Sequence, residues 1–349
     1  MSGNPSKNDR LSGSAAGSTG ERRPLVSICC ATYNHQAYIR DCLEGMLAQK
    51  ADFAFEILVH DDASTDGTRE IVAEYEARYP ERIKGVYQQE NQYSKGIRAV
   101  VTHFLRPLAQ GEYIALCEGD DYWTDPHKLA LQVAVMKRYP AVSLCFHAAA
   151  ILRPDGKLRG RYAPYRQSRV ACMEDIIRRK IHFCPTASLL LRKADWLDYP
   201  DFFIRCHVGD YPLMLYFATR GDVYYLHKKM AVYRKKHPGS WTLTYIGSSR
   251  DTQLLQMQTE VDMLAEFDRY TAYKYHDAVV KKQWKTQLHT LRRLKMYDSL
   301  CHSPYREQWG YLPFTQRISL YGRQFILRSG WKRFLSRLGF TGWALKDKG

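Results

Sequence analysis

The sequence predicts an α/β protein in which a doubly wound, mostly parallel sheet is flanked by helices and followed by a C-terminal helical extension. Two observations support this prediction. Apolar runs of strand length alternate with helical patterns between Leu25 and Ala149, and polar or acidic segments directly follow three of the runs. Strands that alternate with helices form parallel sheets, and such sheets bind ligands beyond the carboxyl ends of their strands.

The first two strand–helix units are the clearest in the sequence. The apolar run at 25–31 predicts a strand buried on both faces, and apolar residues at helical spacing over 38–47 predict the helix that follows it. A second strand is predicted at 55–60, and the polar segment 61–68 leads from it into a second helix. This repeat favours right-handed crossovers and therefore parallel strands.

Three further strands and two helices continue the pattern. The strands are predicted at 83–87, 113–117 and 142–149, and the helices over 100–108 and 127–138. Beyond them the pattern is less regular. Residues 151–166 are predicted as a hairpin or loop, residues 223–226 and 230–233 as two short strands, and the chain from Ser248 onward as helices.

Three loops therefore meet at one edge of the predicted sheet. They carry Tyr33 after the first strand, Asp61 and Asp62 after the second, and Asp120 and Asp121 after the strand at 113–117. Neighbouring carboxylates at a strand end suit a hard divalent cation that also binds phosphate oxygens. The alternative interpretation is an acidic turn that caps the next helix, since Asp is common in turns.

These segments together resemble glycosyltransferase family 2. The resemblance rests on residues 24–34, 61–68 and 111–123, taken in that order, and it covers about residues 24–240. It implies the GT-A fold, which combines a nucleotide-binding sheet with a smaller acceptor half. In this family, that fold binds a nucleotide-sugar donor and a divalent metal, Mg²⁺ or Mn²⁺.

The resemblance also implies a division of the chain. Residues 1–23 are expected to be a disordered tail, because they are polar and rich in small residues. The catalytic domain is expected over 24–245, with its nucleotide-sugar half at 24–125 and its acceptor half at 126–245. Residues 246–349 are then a basic helical C-terminal region.

By resemblance, the donor side of the site is formed by the first three loops. Tyr33 would stack on the nucleobase, and Asp62 would hydrogen-bond the base or the ribose. Asp61 is expected to order its loop by accepting backbone N–H bonds. Asp120 would contact the ribose or the metal, and Asp121 would be the principal metal ligand.

Further basic residues are candidates for the diphosphate. Lys95 and Arg98 lie in the segment 91–98 and would reach a phosphate or the base, although a solvated basic turn fits equally well. Arg234 and His237 fall in a segment that resembles the closing loop of the family. Arg234 would neutralise the diphosphate, and His237 would be an additional metal ligand or a phosphate contact, the alternative being a structural histidine.

Asp210 is the candidate catalytic base, because the family places an acidic residue at the start of a helix here. Such a residue must come within hydrogen-bond reach of an acceptor hydroxyl. The alternative is that Asp210 only caps the helix that contains Leu213 and Phe217. A carboxylate at a helix N-terminus tends to stay ionised, so the two roles are compatible.

The formal net charge of +16 is concentrated at the C-terminus, where Ala272 to Gly349 hold 16 Lys and Arg against 4 Asp and Glu. Between Ile318 and Leu338 aromatic and basic residues interleave, which predicts contact with an anionic membrane surface. The alternative is a helix packed on the domain with a solvated basic face. No nucleic-acid partner is expected, because no recognised binding module is present.

The cysteines and the hydropathy bear on localisation. Nine cysteines occur without CxxC spacing, which favours a reducing compartment over a disulfide framework. No apolar run approaches the ~18–20 residues that span a bilayer. We therefore expect a cytoplasmic protein that is peripheral on the inner face of the cell membrane if the basic region binds lipid.

The predicted function is an inverting, metal-dependent glycosyltransferase. It would move a sugar from a nucleoside diphosphate, for which UDP is expected, to a hydroxyl of a saccharide or lipid-linked acceptor in surface polysaccharide or lipopolysaccharide synthesis. One alternative is a nucleotidyltransferase, which would need a glycine-rich phosphate loop that residues 31–35 lack. The other is a catalytically inactive membrane-surface-binding protein, which would be expected to have lost Asp121 or Asp210.

Overall fold

The computed structural model describes residues 23–311 apart from 179–182, 197–199, 201, 203–205 and 207–208, and also residues 314–315 and 317–320. Within these residues the chain forms a ten-stranded mixed sheet with helices on both faces. The strands are β1 (Val26–Thr32), β2 (Phe55–Asp61), β3 (Ile83–Tyr87), β4 (Tyr113–Glu118), β5 (Tyr122–Trp123), β6 (Val142–Leu152), β7 (Leu158–Tyr162), β8 (Arg169–Val170), β9 (Leu190–Arg192) and β10 (Asp222–Arg234). The helices are α1 (Ile39–Leu47), α2 (Thr68–Arg78), α3 (Lys128–Arg138), α4 (Met173–Arg178), α5 (Asp210–Arg220), α6 (Trp241–Gly247), α7 (Arg250–Tyr270), α8 (His276–Arg293) and α9 (Tyr297–Leu300).

The order of the strands brings several carboxyl ends to one edge of the sheet. The order is β3-β2-β1-β4-β9-β6-β10-β5, with β7 beside β6 and β8 beside β10. Strands β1 to β4 are mutually parallel. Strand β9 runs antiparallel to both β4 and β6, so β6 and its parallel neighbour β10 point the same way as β1. Segments that follow β1, β2, β4 and β10 therefore meet.

Alternate residues of the central strands enter two separate cores. On β4, Ile114 and Leu116 pack on one face of the sheet, whereas Ala115 and Cys117 pack on the other. The second face is covered by α1, α2 and α3. This two-sided burial explains why the strands read as continuous apolar runs in the sequence.

The α/β architecture agrees with the prediction. The predicted strands and helices of the first 150 residues are observed except for one helix, and a second difference concerns β10. The helix predicted over 100–108 is a π-helical turn, Val101–Leu105. The short strands predicted at 223–226 and 230–233 are one strand, β10, whose pairing with β6 shifts register between Leu226 and Ala231. The irregular pairing carries exposed lysines, and these interrupt the apolar pattern of the sequence.

The C-terminal helices share the core of the sheet. Met263, Leu264 and Phe267 of α7 and Val279 of α8 are buried in the same cluster as β4 and β6 residues. Among the described helices, none combines the length and the hydropathy needed to cross a bilayer. The aromatic and basic stretch predicted to contact a membrane lies almost entirely outside the described residues.

Candidate active site

The loop between β4 and β5, residues 119–121, is the centre of the candidate site, and we call it the acidic loop. It contains Gly119, whose backbone N–H donates to the carbonyl oxygen of Ala31 at 2.9 Å. A Cβ atom at position 119 would lie 2.5 Å from Thr32 Oγ1 and 2.9 Å from His35 Nδ1. Glycine is therefore needed for the acidic loop to pack against the end of β1, and this packing fixes the direction of the carboxylates beside it.

Asp121 is completely buried at the base of this loop. Its Oδ1 accepts the backbone N–H of Arg234 at 2.8 Å, whereas its Oδ2 has no hydrogen-bond partner among the described residues. Burial and the neighbouring charge of Asp120 raise the pKa of Asp121 well above its usual value. A buried carboxylate oxygen without a partner is costly, and a cation close by would offset that cost.

Asp120 pairs with His237. Asp120 Oδ2 lies 2.8 Å from His237 Nε2 and 3.9 Å from His35 Nε2. Burial acts to raise the pKa of Asp120, but the hydrogen bond to His237 and the charges of His35 and His237 together hold the pKa below its usual value. Burial likewise acts to lower the pKa of His237, but the hydrogen bonds to Asp120 and Pro238 and the charge of Asp120 together raise it. The geometry thus favours an ionised Asp120–His237 pair.

Glu118 completes the acidic cluster and was given no role from the sequence. Its carboxylate and those of Asp120 and Asp121 place oxygens within 4.8 Å of one another. Glu118 is exposed to solvent, but the surrounding protein atoms and the charges of Asp120 and Asp210 still raise its pKa above the usual value. Its position two residues before Asp120, at the end of a strand, is the signal that could have identified it.

These residues fit a hard divalent cation. Three carboxylates converge, one buried oxygen of Asp121 has no partner among the described residues, and oxygen ligands are what Mg²⁺ and Mn²⁺ prefer. His237 lies in contact with the same cluster. The cofactor prediction is therefore consistent with the chemistry of the donor set, whereas the choice between Asp120 and Asp121 as principal ligand stays a prediction.

Arg234, at the end of β10, holds the acidic loop in place. Its Nη1 donates to the carbonyl oxygen of Asp120 at 2.7 Å, and its Nη2 donates to the carboxylate of Asp41 on α1. Its guanidinium also packs against the rings of Tyr38 and Tyr122, at 5.1 and 4.5 Å from their centroids. These contacts give Arg234 a structural role, and its predicted contact with a diphosphate stays a prediction.

Asp62 orders the loop that follows β3. Both of its carboxylate oxygens accept backbone N–H groups, from Gln92 at 2.8 Å and from Tyr93 at 3.1 Å. Asp61 orders its own loop as expected, because its carboxylate accepts the backbone N–H of Ser64 at 3.2 Å. The predicted hydrogen bond from Asp62 to a base or ribose stays untested, and the side chain already has a structural function.

The remaining predicted site residues are Asp210, Tyr33 and Lys95. Asp210 is the first residue of α5, and it lies close enough to Glu118 for its charge to contribute to the raised pKa of that carboxylate. Tyr33 follows β1 and is 42% exposed, so its ring is free of the core. Lys95 forms an exposed ion pair with Glu90. The structure thus brings Asp120, Asp121 and His237 together, with Asp210 close to them.

Comparisons with known proteins give a consistent assignment. The model of the family described as glycosyl transferase family 2 matches residues 27–197. The protein Rv1520 of Mycobacterium tuberculosis is 37% identical over 220 residues, which are 63% of this chain and 61% of that protein. TuaG of Bacillus subtilis, a candidate teichuronic acid biosynthesis glycosyltransferase, is 31% identical over 52% of this chain and 69% of its own length. The match to Rv1520 thus spans 61% of that relative.

Solved structures share the fold at low sequence identity. Staphylococcus aureus TarS residues 1–349 in complex with UDP superposes with a TM-score of 0.55 at 16% identity, over 81% of this chain and 77% of that one. The Pyrobaculum calidifontis mannosyltransferase PcManGT in complex with GDP-Man and Mn²⁺ gives 0.52 at 15% identity, over 90% and 88%. These likenesses confirm the GT-A expectation. Fold and relatives agree, and the chain belongs to glycosyltransferase family 2.

Proposed function

We propose that this protein is an inverting, metal-dependent glycosyltransferase that moves a sugar from a nucleoside diphosphate, UDP in the first instance, to a hydroxyl of a saccharide or lipid-linked acceptor. One observation carries the proposal. The carboxylates of Glu118, Asp120 and Asp121 offer oxygens within 4.8 Å of one another, and Asp210, the first residue of α5, is close enough to Glu118 for its charge to act on that carboxylate. The site thus offers a cation-binding donor side and a separate carboxylate for the acceptor.

The donor side has support from two directions. TarS has been solved with UDP, and PcManGT with GDP-Man and Mn²⁺, on the same fold. Here, Glu118, Asp120 and Asp121 would hold Mg²⁺ or Mn²⁺, with His237 as a further ligand. The bound cation would supply positive charge to the departing diphosphate. Asp121 offers the oxygen that has no partner among the described residues, whereas Asp120 Oδ2 and His237 Nε2 are bonded to each other and would have to separate for His237 to bind the cation.

The acceptor side depends on Asp210. A base must accept the proton of the attacking hydroxyl, and the carboxylate of Asp210, the first residue of α5, is the candidate for this step. The hydroxyl oxygen then attacks the anomeric carbon from the face opposite the diphosphate, and one displacement inverts the configuration. The name of TuaG supports a role in the synthesis of a cell-surface polysaccharide.

Two variants of the full chain separate the two sides of the site. A panel of UDP-, GDP- and dTDP-sugars is assayed for binding by calorimetry and for turnover, with Mn²⁺, with Mg²⁺ and with EDTA. We expect Asp120→Asn to weaken metal-dependent donor binding. Asp210→Asn should bind the donor like the wild type and turn over about 10²–10⁴-fold more slowly.

The matched control is Asp222→Asn, an exposed carboxylate at the amino end of β10, on the opposite edge of the sheet. It should behave like the wild type in both assays. If none of these nucleotide sugars binds to the wild type with either metal, the proposed function is wrong. If Asp210→Asn turns over as fast as the wild type, its role as base is wrong.

A further inference from the structure

The hairpin of β6 and β7 is strongly basic. Between residues 153 and 161 it carries four basic residues against one acidic residue, Asp155. Lys157, Arg159 and Arg161 are exposed, and Arg159 pairs with Asp155 at 3.2 Å. The hairpin extends from the carboxyl end of β6, which is the edge of the sheet that also carries the acidic cluster.

Two lysines after β10 add to this charge. The backbone N–H of Lys235 donates to the carbonyl oxygen of Leu152 at 3.0 Å, so the end of β10 lies beside the base of the hairpin. Lys235 and Lys236 therefore follow a residue pair that lies directly beside Arg153. Like charges placed this close together favour an anion that binds between them.

Little in the protein balances these charges. In the part of the chain that the structure describes, no carboxylate comes within ion-pair distance of Arg153, Lys157, Arg161, Lys235 or Lys236. Arg159 is the exception, and its pair with Asp155 is exposed. An exposed ion pair contributes little to stability, so Arg159 also remains available to a ligand.

This basic surface runs into the candidate active site. Lys236 directly precedes His237, which contacts Asp120 at 2.8 Å. At the other end, Tyr162 of β7 packs edge-to-face on Tyr233, with ring centroids 5.3 Å apart. Tyr233 directly precedes Arg234, whose backbone N–H donates to Asp121 Oδ1 at 2.8 Å. A chain bound along the hairpin would thus reach the acidic cluster.

We propose that this surface binds the anionic groups, phosphate or carboxylate, of the saccharide acceptor. The inference rests on the proposed glycosyl transfer and specifies the class of its acceptor. Arginine guanidinium groups match phosphate and carboxylate oxygens in paired hydrogen bonds, and lysines add point charge. We name it the basic hairpin surface, and its members are Arg153, Lys157, Arg159, Arg161, Lys235 and Lys236.

The test uses the full chain and two matched triple variants. The hairpin variant is Lys157→Gln, Arg159→Gln and Arg161→Gln. The control variant is Arg78→Gln, Arg82→Gln and Lys84→Gln, which removes three exposed basic residues around the start of β3, at the far edge of the sheet. The probes are fluorescent polygalacturonate, poly(glycerol phosphate) and neutral dextran, together with phosphatidylcholine vesicles that contain phosphatidylglycerol.

We expect the wild type to bind at least one anionic polymer, more weakly as salt is added, and to leave dextran unbound. The hairpin variant should lose about tenfold in affinity for that polymer, while the control variant keeps it. Calorimetric binding of the nucleotide sugar should be unchanged in both variants, because none of the six substituted residues touches the donor side.

Three results of the polymer and vesicle assays would overturn the inference. The hairpin variant could bind the polymer as the wild type does, or the control variant could lose as much affinity. The hairpin residues could also prove to bind vesicles and neither polymer, which would make the surface a membrane contact. If the wild type and both variants fail to bind the nucleotide sugar, the proposed function is wrong. The acceptor role then fails with it, whether or not the polymers bind.

Discussion

At the scale of single residues, Lys128 is the most unusual cation of the described structure. Its side chain is completely buried beneath the acidic loop. Its Nζ donates to Gln132 Oε1 at 2.8 Å and lies 3.8 Å from the ring centroid of Trp123. Burial lowers the pKa of Lys128 to about 7, since these neutral partners do not replace the hydration of an ammonium group.

This burial predicts a specific pH dependence of stability. Between the folded-state pKa of about 7 and the ordinary value of 10.5, the unfolded chain binds more protons at Lys128 than the folded protein does. The free energy of unfolding of the wild type therefore gains from Lys128 as the pH rises through this window. This gain is absent in Lys128→Met. The free energy of unfolding of the variant minus that of the wild type should therefore fall by about 2–4 kcal/mol as the pH rises from about 7 to 10.5.

The measurement is urea unfolding of both proteins at several pH values between 7 and 10.5. Lys137→Met, an exposed lysine on the same helix, is the matched control and should keep a constant difference from the wild type. A constant difference for Lys128→Met as well would show that Lys128 is protonated in the folded protein throughout this range.

The different roles of Asp120 and Asp121 could not be predicted from the sequence. Adjacent carboxylates such as Asp120 and Asp121 cannot be distinguished by type or spacing. Their roles diverge because Gly119 packs the loop against β1, and because the backbone of Arg234, 113 residues away, takes one oxygen of Asp121. Contacts between residues so distant in sequence leave no local pattern. The acidic character of the loop is local, and it was predictable.

At the scale of elements, α1 and β5 approach each other with no space between their backbones. A Cβ atom on Gly45 of α1 would lie 2.7 Å from the carbonyl oxygen of Trp123. We expect Gly45→Ala to lower the free energy of unfolding by about 1–3 kcal/mol through overpacking, although alanine favours helix by about 1 kcal/mol over glycine. The same shift would move Asp41 away from Arg234 and loosen the acidic loop.

Urea unfolding tests this prediction, and donor binding by the variant reports on the loop. The control is Gly247→Ala at the end of α6, where an added Cβ atom meets nothing within 4 Å. It should leave stability unchanged or raise it slightly. An equal or greater stability of Gly45→Ala would mean that α1 can move away from β5 at no cost.

Elements were predictable where a local pattern specifies them. Strands β1, β2 and β4 are apolar over their length because both faces are covered, and the sequence shows this directly. The sequence of β10 predicts two strands because its pairing with β6 shifts register at Lys229, next to exposed Lys228. Such an irregularity depends on the partner strand, which the pattern of β10 alone does not describe.

At the scale of the whole molecule, the C-terminal helices complete the core of the sheet. The sequence indicated helices after Ser248 but not their packing partner, because an amphipathic pattern shows that one face is buried without showing against what. In the structure, Phe267 of α7 packs edge-to-face on Phe202, with ring centroids 5.6 Å apart. The helices α7 and α8 contribute five fully or nearly fully buried apolar residues to the core of the sheet, namely Met263, Leu264, Phe267, Ala278 and Val279.

Deleting residues 248–349 should therefore unfold the domain. Full burial of a large apolar side chain contributes about 1.5–3 kcal/mol, so losing these contacts removes an amount comparable to the roughly 5–15 kcal/mol that stabilises a typical domain. Deleting only residues 321–349 keeps every one of these contacts and is the matched control. Circular dichroism and thermal unfolding of the two shortened proteins make the comparison. A cooperative transition for the longer deletion, at the temperature of the full chain, would show that residues 23–247 fold alone and that α7 and α8 only cover a finished core.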